Sequence, residues 1–320
     1  MPSIQIEASA PFFIALNAGS GHDDAAQTRA RIERVLTAAG RPHELQLVED
    51  PSRLADIARV TVERAHARGG VVVAAGGDGT INAVAQAAHA RGCPFGVLPQ
   101  GTFNYFSRAH GIPADTEEAT RLLLTARAHP VQVGLVNDRL FLVNASLGLY
   151  PQLLEDREAA KKEFGRSRPV ALAAGLVTLL RQHRQLRLHI EINGESTDMR
   201  TPTLFVGNNA LQLAQFGFAE APVVVEGQLV AVAPRPVGTL AMLGLLLRGA
   251  LGRLGDAENV TSFAFRRIGV TPASRRRGRP VKVATDGEIV WLGAPIEFRV
   301  APEPLYLLKP DPATAPEFAR

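Results

Sequence analysis

The run Val71-Val72-Val73-Ala74-Ala75, followed directly by Gly76-Gly77-Asp78-Gly79-Thr80 and then by Ile81-Asn82-Ala83-Val84-Ala85, constrains the fold more than any other stretch of the chain. A short apolar run bounded by glycines reads as a strand buried on both faces, and the apolar stretch beyond Thr80 reads as a helix starting near that residue. Three glycines predict a turn free to adopt positive φ and to approach a ligand closely. The helix N-terminus points its unpaired amides back at that turn. Such a turn suits phosphate. A carboxylate in its middle repels a bare phosphate, so Asp78 makes sense working through Mg2+, water or a sugar hydroxyl, and a nucleotide is the natural guest. The same pattern also serves simply to pack a helix closely on a sheet.

Two further loops have the same character. Phe12-Phe13-Ile14-Ala15-Leu16 ends in Asn17-Ala18-Gly19-Ser20-Gly21, and Phe95-Gly96-Val97-Leu98 runs into Pro99-Gln100-Gly101-Thr102-Phe103-Asn104. In an open parallel sheet the loops after the carboxyl ends of the strands gather on one edge and line the ligand crevice. Convergence of three such loops is harder to explain as packing alone.

Strand and helix patterns alternate to about residue 128. Asp23 to Ala39 and Pro51 to Arg68 read as amphipathic helices, with Glu44 to Val48 a strand between them, and Asp115-Thr116-Glu117-Glu118 reads as a helix cap. The texture then changes. Val131 to Val136, a turn at Asn137-Asp138 and Leu140 to Asn144 read as a hairpin. Further short segments follow at Leu186 to Ile192 (turn Asn193-Gly194), Thr203 to Val206, Val223 to Val225, Leu229 to Ala233, Val260 to Arg266, Val281 to Ala284 and Ile296 to Val300. The expected fold class is therefore α/β plus β: an N-terminal parallel-sheet nucleotide-binding domain over 1–128, a mainly antiparallel β domain over 129–302, and a flexible tail at 313–320.

With 320 residues and 46% hydrophobic content the chain has material for two cores. A single cysteine, Cys93, allows no intrachain disulfide, the histidines show no zinc spacing, and the first residues lack a signal-peptide pattern; a cytoplasmic protein is expected. The apolar runs Val170 to Leu180 and Val237 to Leu247 are too short to span a bilayer, which takes about 20 residues. They read as core helices or as faces touching a membrane surface. Arg275-Arg276-Arg277-Gly278-Arg279 is a basic loop suited to solvent or to anionic headgroups, and without interleaved aromatics or a recognition helix it does not argue for nucleic acid. Ser146 resembles half of a nucleophile elbow, but Asn144 stands where its first glycine belongs, and no Walker lysine is present.

NAGSG, GGDGTINAVAQ and LPQGTFNYFSRAHGIP, in that order and spacing, resemble the catalytic domain of the diacylglycerol kinase family, in its branch of soluble bacterial lipid kinases; NAD kinases are more distant relatives. NASLGLYP from Asn144, VGNN from Val206, EGQL from Glu226 and TDGE from Thr285 extend the likeness over nearly the whole chain. The resemblance implies a two-domain, ATP- and Mg2+-dependent kinase with its active site in the cleft between domains, and a return of 303–312 to the first domain. It implies that Asn17, Ser20 and Gly21 help hold the triphosphate and that Gly76, Gly77, Gly79 and Thr80 shape the nucleotide turn. Asp78 would organise the metal-nucleotide, with Gly101, Thr102 and Asn104 forming the neighbouring loop. Asp286 would be the general base, with Glu288 beside it, and a lipid hydroxyl, foremost that of diacylglycerol, the acceptor. Asp286-Gly287 also reads as an ordinary hairpin turn. Peripheral membrane association and a homodimer stay open, as do an NAD-kinase-like or other small-molecule kinase and a non-catalytic nucleotide- or lipid-binding protein. Three positions depart from the family pattern: Tyr105 where a carboxylate is usual, His22 where a basic residue often stands, and Glu226 in place of an Asp near a structural cation site.

Overall fold

The computed structural model describes residues 2–19, 24–149, 151, 185–236, 238–273 and 280–311. The run Val170 to Leu180, the basic loop Arg275 to Arg279, the positions Ser20, Gly21 and His22, and the tail 313–320 lie outside them. The chain divides into two compact units, Met1–Val133 with Ala301–Arg320, and Gly134–Val300.

The first unit is built on a six-stranded sheet of order β2-β1-β3-β4-β18-β5. Its strands are β1 (Phe12–Asn17), β2 (His43–Val48), β3 (Val71–Gly76), β4 (Phe95–Pro99), β5 (Arg127–Val131) and β18 (Leu305–Lys309). All pairings are parallel except β18 with β5. Every residue of β3 and β4 is buried, as expected where helices cover both faces of a parallel sheet. The covering helices show the matching stripes. In α1 (Ala25–Ala38), Thr28, Ile32 and Leu36 are buried at four-residue intervals, and the Asp24 side chain caps the helix through the Ala26 amide. In α2 (Leu54–Ala67) the stripe is Ile57, Ala58, Thr61, Val62 and Ala65. The helix Thr116–Thr125 is capped by Asp115, which accepts from the amides of Glu117 and Glu118 at 2.9 Å each, the arrangement its sequence predicts.

The second unit contains two six-stranded antiparallel sheets. One has order β10-β9-β14-β17-β6-β7 and the other β13-β12-β11-β8-β15-β16. The strands of the first are β6 (Gly134–Val136), β7 (Arg139–Phe141), β9 (Leu186–Ile192), β10 (Glu195–Thr201), β14 (Arg267–Pro272) and β17 (Ile296–Val300). Those of the second are β8 (Asn144–Gly148), β11 (Thr203–Gly207), β12 (Leu229–Pro234), β13 (Val260–Phe265), β15 (Val281–Thr285) and β16 (Glu288–Leu292). Alternate residues of both sheets, among them Leu188, Ile190, Ile268, Val270 and Phe298 from one and Ala145, Leu147, Leu204, Val206 and Val283 from the other, share one buried core.

Three local expectations are corrected. Val223 to Val225 is not a strand: Ala221–Val224 forms a 3-10 helix, with Pro222 at its start, where a missing N–H costs nothing and the fixed φ suits the turn. The run Val131 to Val136 is divided, with Val131 closing β5 of the first unit and Gly134–Val136 pairing with β7 across Asn137, whose φ is 53°. The helix after the glycine turn begins at Asp78 rather than near Thr80. Val237 to Leu247 overlaps a helix at Thr239–Ala250. Among the described residues, no helix is long and apolar enough to cross a membrane.

Candidate nucleotide and acceptor sites

At the carboxyl end of β3 the chain turns directly into α3 (Asp78–Arg91), with Gly77 at the N-cap and Asp78 and Gly79 already helical. None of Gly76, Gly77 and Gly79 has positive φ; Gly77 sits at −79°. At Gly76, space rather than dihedral freedom calls for glycine. A Cβ on Gly76 would lie 2.5 Å from Thr80 Cβ and 2.6 Å from Thr80 Oγ1, and a Cβ on Gly101 would meet the Cα of Gly77 at 3.2 Å. The β3 and β4 loops therefore touch backbone to backbone, an approach further tied by the Gln100 amide donating to Gly76 O at 2.8 Å.

Asparagines shape the other two loops, and one of them fastens its loop to this turn. Asn17 Nδ2 donates to Thr80 Oγ1 at 2.8 Å, while Asn17 Oδ1 accepts from the Gly19 amide at 3.0 Å, so the β1 loop is pinned to the first turn of α3. Asn104, at φ 48°, closes the third loop on itself: Oδ1 accepts from Gly101 N at 3.0 Å and Nδ2 donates to Gly101 O at 2.8 Å. Left-handed backbone suits Asn because its short side chain bonds locally. Asn17, Thr80 and Asn104 thus shape the loops through their side chains. Thr102 and Phe103 lie on the exposed part of the third loop, where the Phe103 ring stacks on Tyr105 at a centroid distance of 6.0 Å.

In the second unit the residues of NASLG, VGNN and TDGE come together at one end of a sheet, because β8 starts where its antiparallel neighbours β11 and β15 end. Asp286 and Gly287, at φ 48° and 87°, make the two-residue turn between β15 and β16; positive φ at both places is the demand that Asp-Gly meets. The Asp286 carboxylate turns inward. It accepts from the amides of Leu142 at 2.7 Å, Val143 at 2.8 Å and Asn144 at 2.9 Å. Glu288, two residues on, is exposed and pairs with Arg139 at 3.3 Å. Loss of water around its carboxyl raises its pKa, the Arg139 charge opposes that rise and the Asp286 charge adds to it.

Arg139, Asn208, Asn209 and Gln212 were not singled out by residue chemistry. Asn208 donates from Nδ2 to Leu142 O at 3.0 Å, Asn209 caps the helix Ala210–Gln215 through Gln212 N at 2.9 Å, and Asn144 Nδ2 donates to Gln212 Oε1 at 3.1 Å. The VGNN string was the available signal for the two asparagines. Among the described residues, no three His, Cys, Asp or Glu side chains gather as a metal cage.

Residues 11–136 match the family described as the diacylglycerol kinase catalytic domain. This segment belongs to that family. Over 246 residues the chain is 30% identical to an uncharacterized Synechocystis protein, covering 75% of the chain and 54% of that protein. A Cronobacter sakazakii protein named "Probable lipid kinase YegS-like" is 33% identical over 144 residues, 44% of the chain and 46% of its own length. The chain thus spans about half the length of these curated relatives. A diacylglycerol kinase structure from Bacillus anthracis superposes with a TM-score of 0.66 at 16% identity, covering 95% of this chain and 98% of that one. A second structure from that organism gives 0.71 at 17% over the same shares. Likeness at such identity establishes the fold, an α/β unit joined to antiparallel sheets.

Proposed function

We propose that the protein is an ATP-dependent lipid kinase, transferring the γ-phosphoryl group to a lipid hydroxyl, with diacylglycerol the leading acceptor. The observation that carries this reading is the meeting of two strand-end loops at Gly77 and Gly101, with a third tied to the same turn by Asn17 and Thr80, in a segment that matches a diacylglycerol kinase catalytic domain. The loop backbone and the first amides of α3 are the phosphate-binding elements. Asn17, Thr80 and Asn104 hold those elements in shape, and Ser20, Gly21, Gly79 and Thr102 belong to the same loops.

Asp78, at the first position of α3, fits a cation that arrives with the nucleotide, because Mg2+ takes one or two carboxylates along with phosphates and waters. Bound there, Mg2+ would offset the negative charge of the phosphates. Without any ligand, Asp78 still interacts favourably with the N-terminal end of the helix dipole, so its substitution has a small structural cost of about 0.3–1 kcal/mol. Kinase chemistry would respond far more. Asp78→Asn is expected to keep a near-native melting curve and to lose lipid phosphorylation by orders of magnitude; turnover like that of the unaltered protein would contradict the assignment.

Acceptor-side chemistry belongs in this reading to the TDGE hairpin, with Asp286 and Glu288 as its carboxylates. The lipid substrate implies work at a membrane surface. The helix Thr239–Ala250 supports this, with Leu247 63% exposed and, just beyond the helix, Leu251 65% exposed beside the exposed Arg248.

A further inference from the structure

Glycine inside a strand weakens it, because it adds backbone freedom and packs no side chain, and it marks a bulge, a tight bend or a place where another molecule comes close. Gly269 stands in the middle of β14, opposite Glu191 of β9 on one side and Glu297 of β17 on the other. The register runs through it unbroken on both sides, so it makes no bulge. Its φ is not in the left-handed region, and a Cβ added to it would meet its nearest neighbour, Glu191 Cβ, at an ordinary 3.8 Å. Neither conformation nor crowding calls for glycine there. The bare backbone instead helps line a cavity of about 480 Å3, on the face of β9, β14 and β17 turned away from the shared core.

The other lining groups are mostly polar. Glu191 and Glu297 flank Gly269, Arg267 and Thr271 stand two residues to either side of it on β14, and Asn193 adds an amide from the β9–β10 turn. The two carboxylates are not equivalent. Glu297 Oε2 accepts from Arg267 Nε at 2.9 Å and Nη2 at 2.6 Å, and its Oε1 pairs with Arg299 at 3.0 Å. The Glu191 carboxylate makes no hydrogen bond or ion pair among the described residues, which leaves its charge uncompensated beside the bare backbone.

We propose that this cavity is a binding site for a small aliphatic amine, whose primary ammonium donates to the Glu191 carboxylate while its carbon skeleton lies over Gly269. An ammonium has three N–H donors, and beside Glu191 the cavity offers Thr271 Oγ1 and Asn193 Oδ1 as further acceptors. An anion fits poorly, since Glu191 repels it and Arg267 is already engaged by Glu297. The volume suits a small molecule, for which pockets start at about 300 Å3. The site is built on the other sheet of this unit from Asp286 and Glu288, and it does not depend on the lipid-kinase reading.

Isothermal titration of the full chain with butylamine tests the site, with butanol as the uncharged control and inorganic phosphate as the anion. Butylamine is expected to bind saturably, more weakly as salt screens the charge, and the two controls not at all. Glu191→Gln should weaken butylamine about tenfold or more at an unchanged melting temperature, because the carboxylate has no partner to lose. Gly269→Val fills the floor of the cavity. It should weaken butylamine to a similar extent while melting at or above the unaltered temperature, since valine suits a strand better than glycine. A chain that binds no butylamine, that binds phosphate in its place, or that binds butylamine equally well in all three forms overturns the proposal. Should Gly269→Val fail to fold, Glu191→Gln decides alone, its side chain being exposed.

Discussion

At the scale of single residues, space governs the nucleotide turn. Thr80 is 3% exposed and its hydroxyl is already engaged by Asn17, so it has no freedom to retreat from a methyl group on Gly76. Gly76→Ala should therefore cost about 1–3 kcal/mol through overpacking and weaken ATP binding with it. Gly77→Ala is the matched control, since its Cβ would find its nearest neighbour at an ordinary 3.7 Å and its φ is one that alanine accepts. Urea denaturation of both variants checks this, and equal stability of the two would refute the steric argument. A second residue sets acid sensitivity. His110 packs edge-on against Phe106 at 4.7 Å, and burial, with a smaller push from Lys309, lowers its pKa to about 3. Its pKa in the unfolded chain is about 6.5. Between those values the unfolded state holds the extra proton, so stability is full above about pH 6.5 and falls by up to about 1.4 kcal/mol for each pH unit below it. His129 is shifted in the same direction, also chiefly by burial. Replacing His110 with Phe should flatten the fall in urea midpoint between pH 7 and pH 5; an unchanged slope would mean that other groups control it.

Among the elements, those with strong local signals were legible. The strand at β3, the stripe of α2, the Asp115 cap and the Asn193-Gly194 hairpin each depend on residues close in sequence, and each forms as its pattern demands. Elements whose pairing comes from afar were not. In β14, Gly269 and Pro272 mask the alternation, and the strand exists because β9 and β17 flank it. Val223 to Val225 fails in the opposite sense, since three valines suggest a strand but Pro222 directs the backbone into a 3-10 turn. The helix Thr239–Ala250 carries the prediction that belongs to this scale. Residues 235–255 include Arg235, Arg248 and Arg253 and no acidic residue, which suits a surface of anionic headgroups. Leu247→Ser with Leu251→Ser should weaken sedimentation with anionic vesicles about tenfold or more, given about 1.5–3 kcal/mol for burying each leucine fully. Vesicle binding indifferent to both leucines and to salt would exclude this face.

Over the whole molecule, the division into an α/β unit and a unit of antiparallel sheets was legible because strand length, helix stripes and turn spacing change character near residue 130. The hydrogen-bond roles within the candidate sites were not. Asp286 lies more than 140 residues from the amides it holds, and nothing local in Thr285-Asp286-Gly287-Glu288 distinguishes a carboxylate turned inward from one facing solvent. Likewise the strings Asn17 to Gly21 and Gly101 to Asn104 reveal loops, while the tie from Asn17 to Thr80 spans 63 residues and depends on β1 lying beside β3. The most direct test of the account is transfer of the labelled γ-phosphate of ATP to lipid. The full chain is incubated with Mg2+ and separate acceptors: diacylglycerol, sphingosine, extracted lipids and NAD. A labelled lipid, strongest with diacylglycerol, is expected, and it should disappear in Asp78→Asn; label in NAD alone, or in no acceptor while ATP binds, would contradict a lipid kinase.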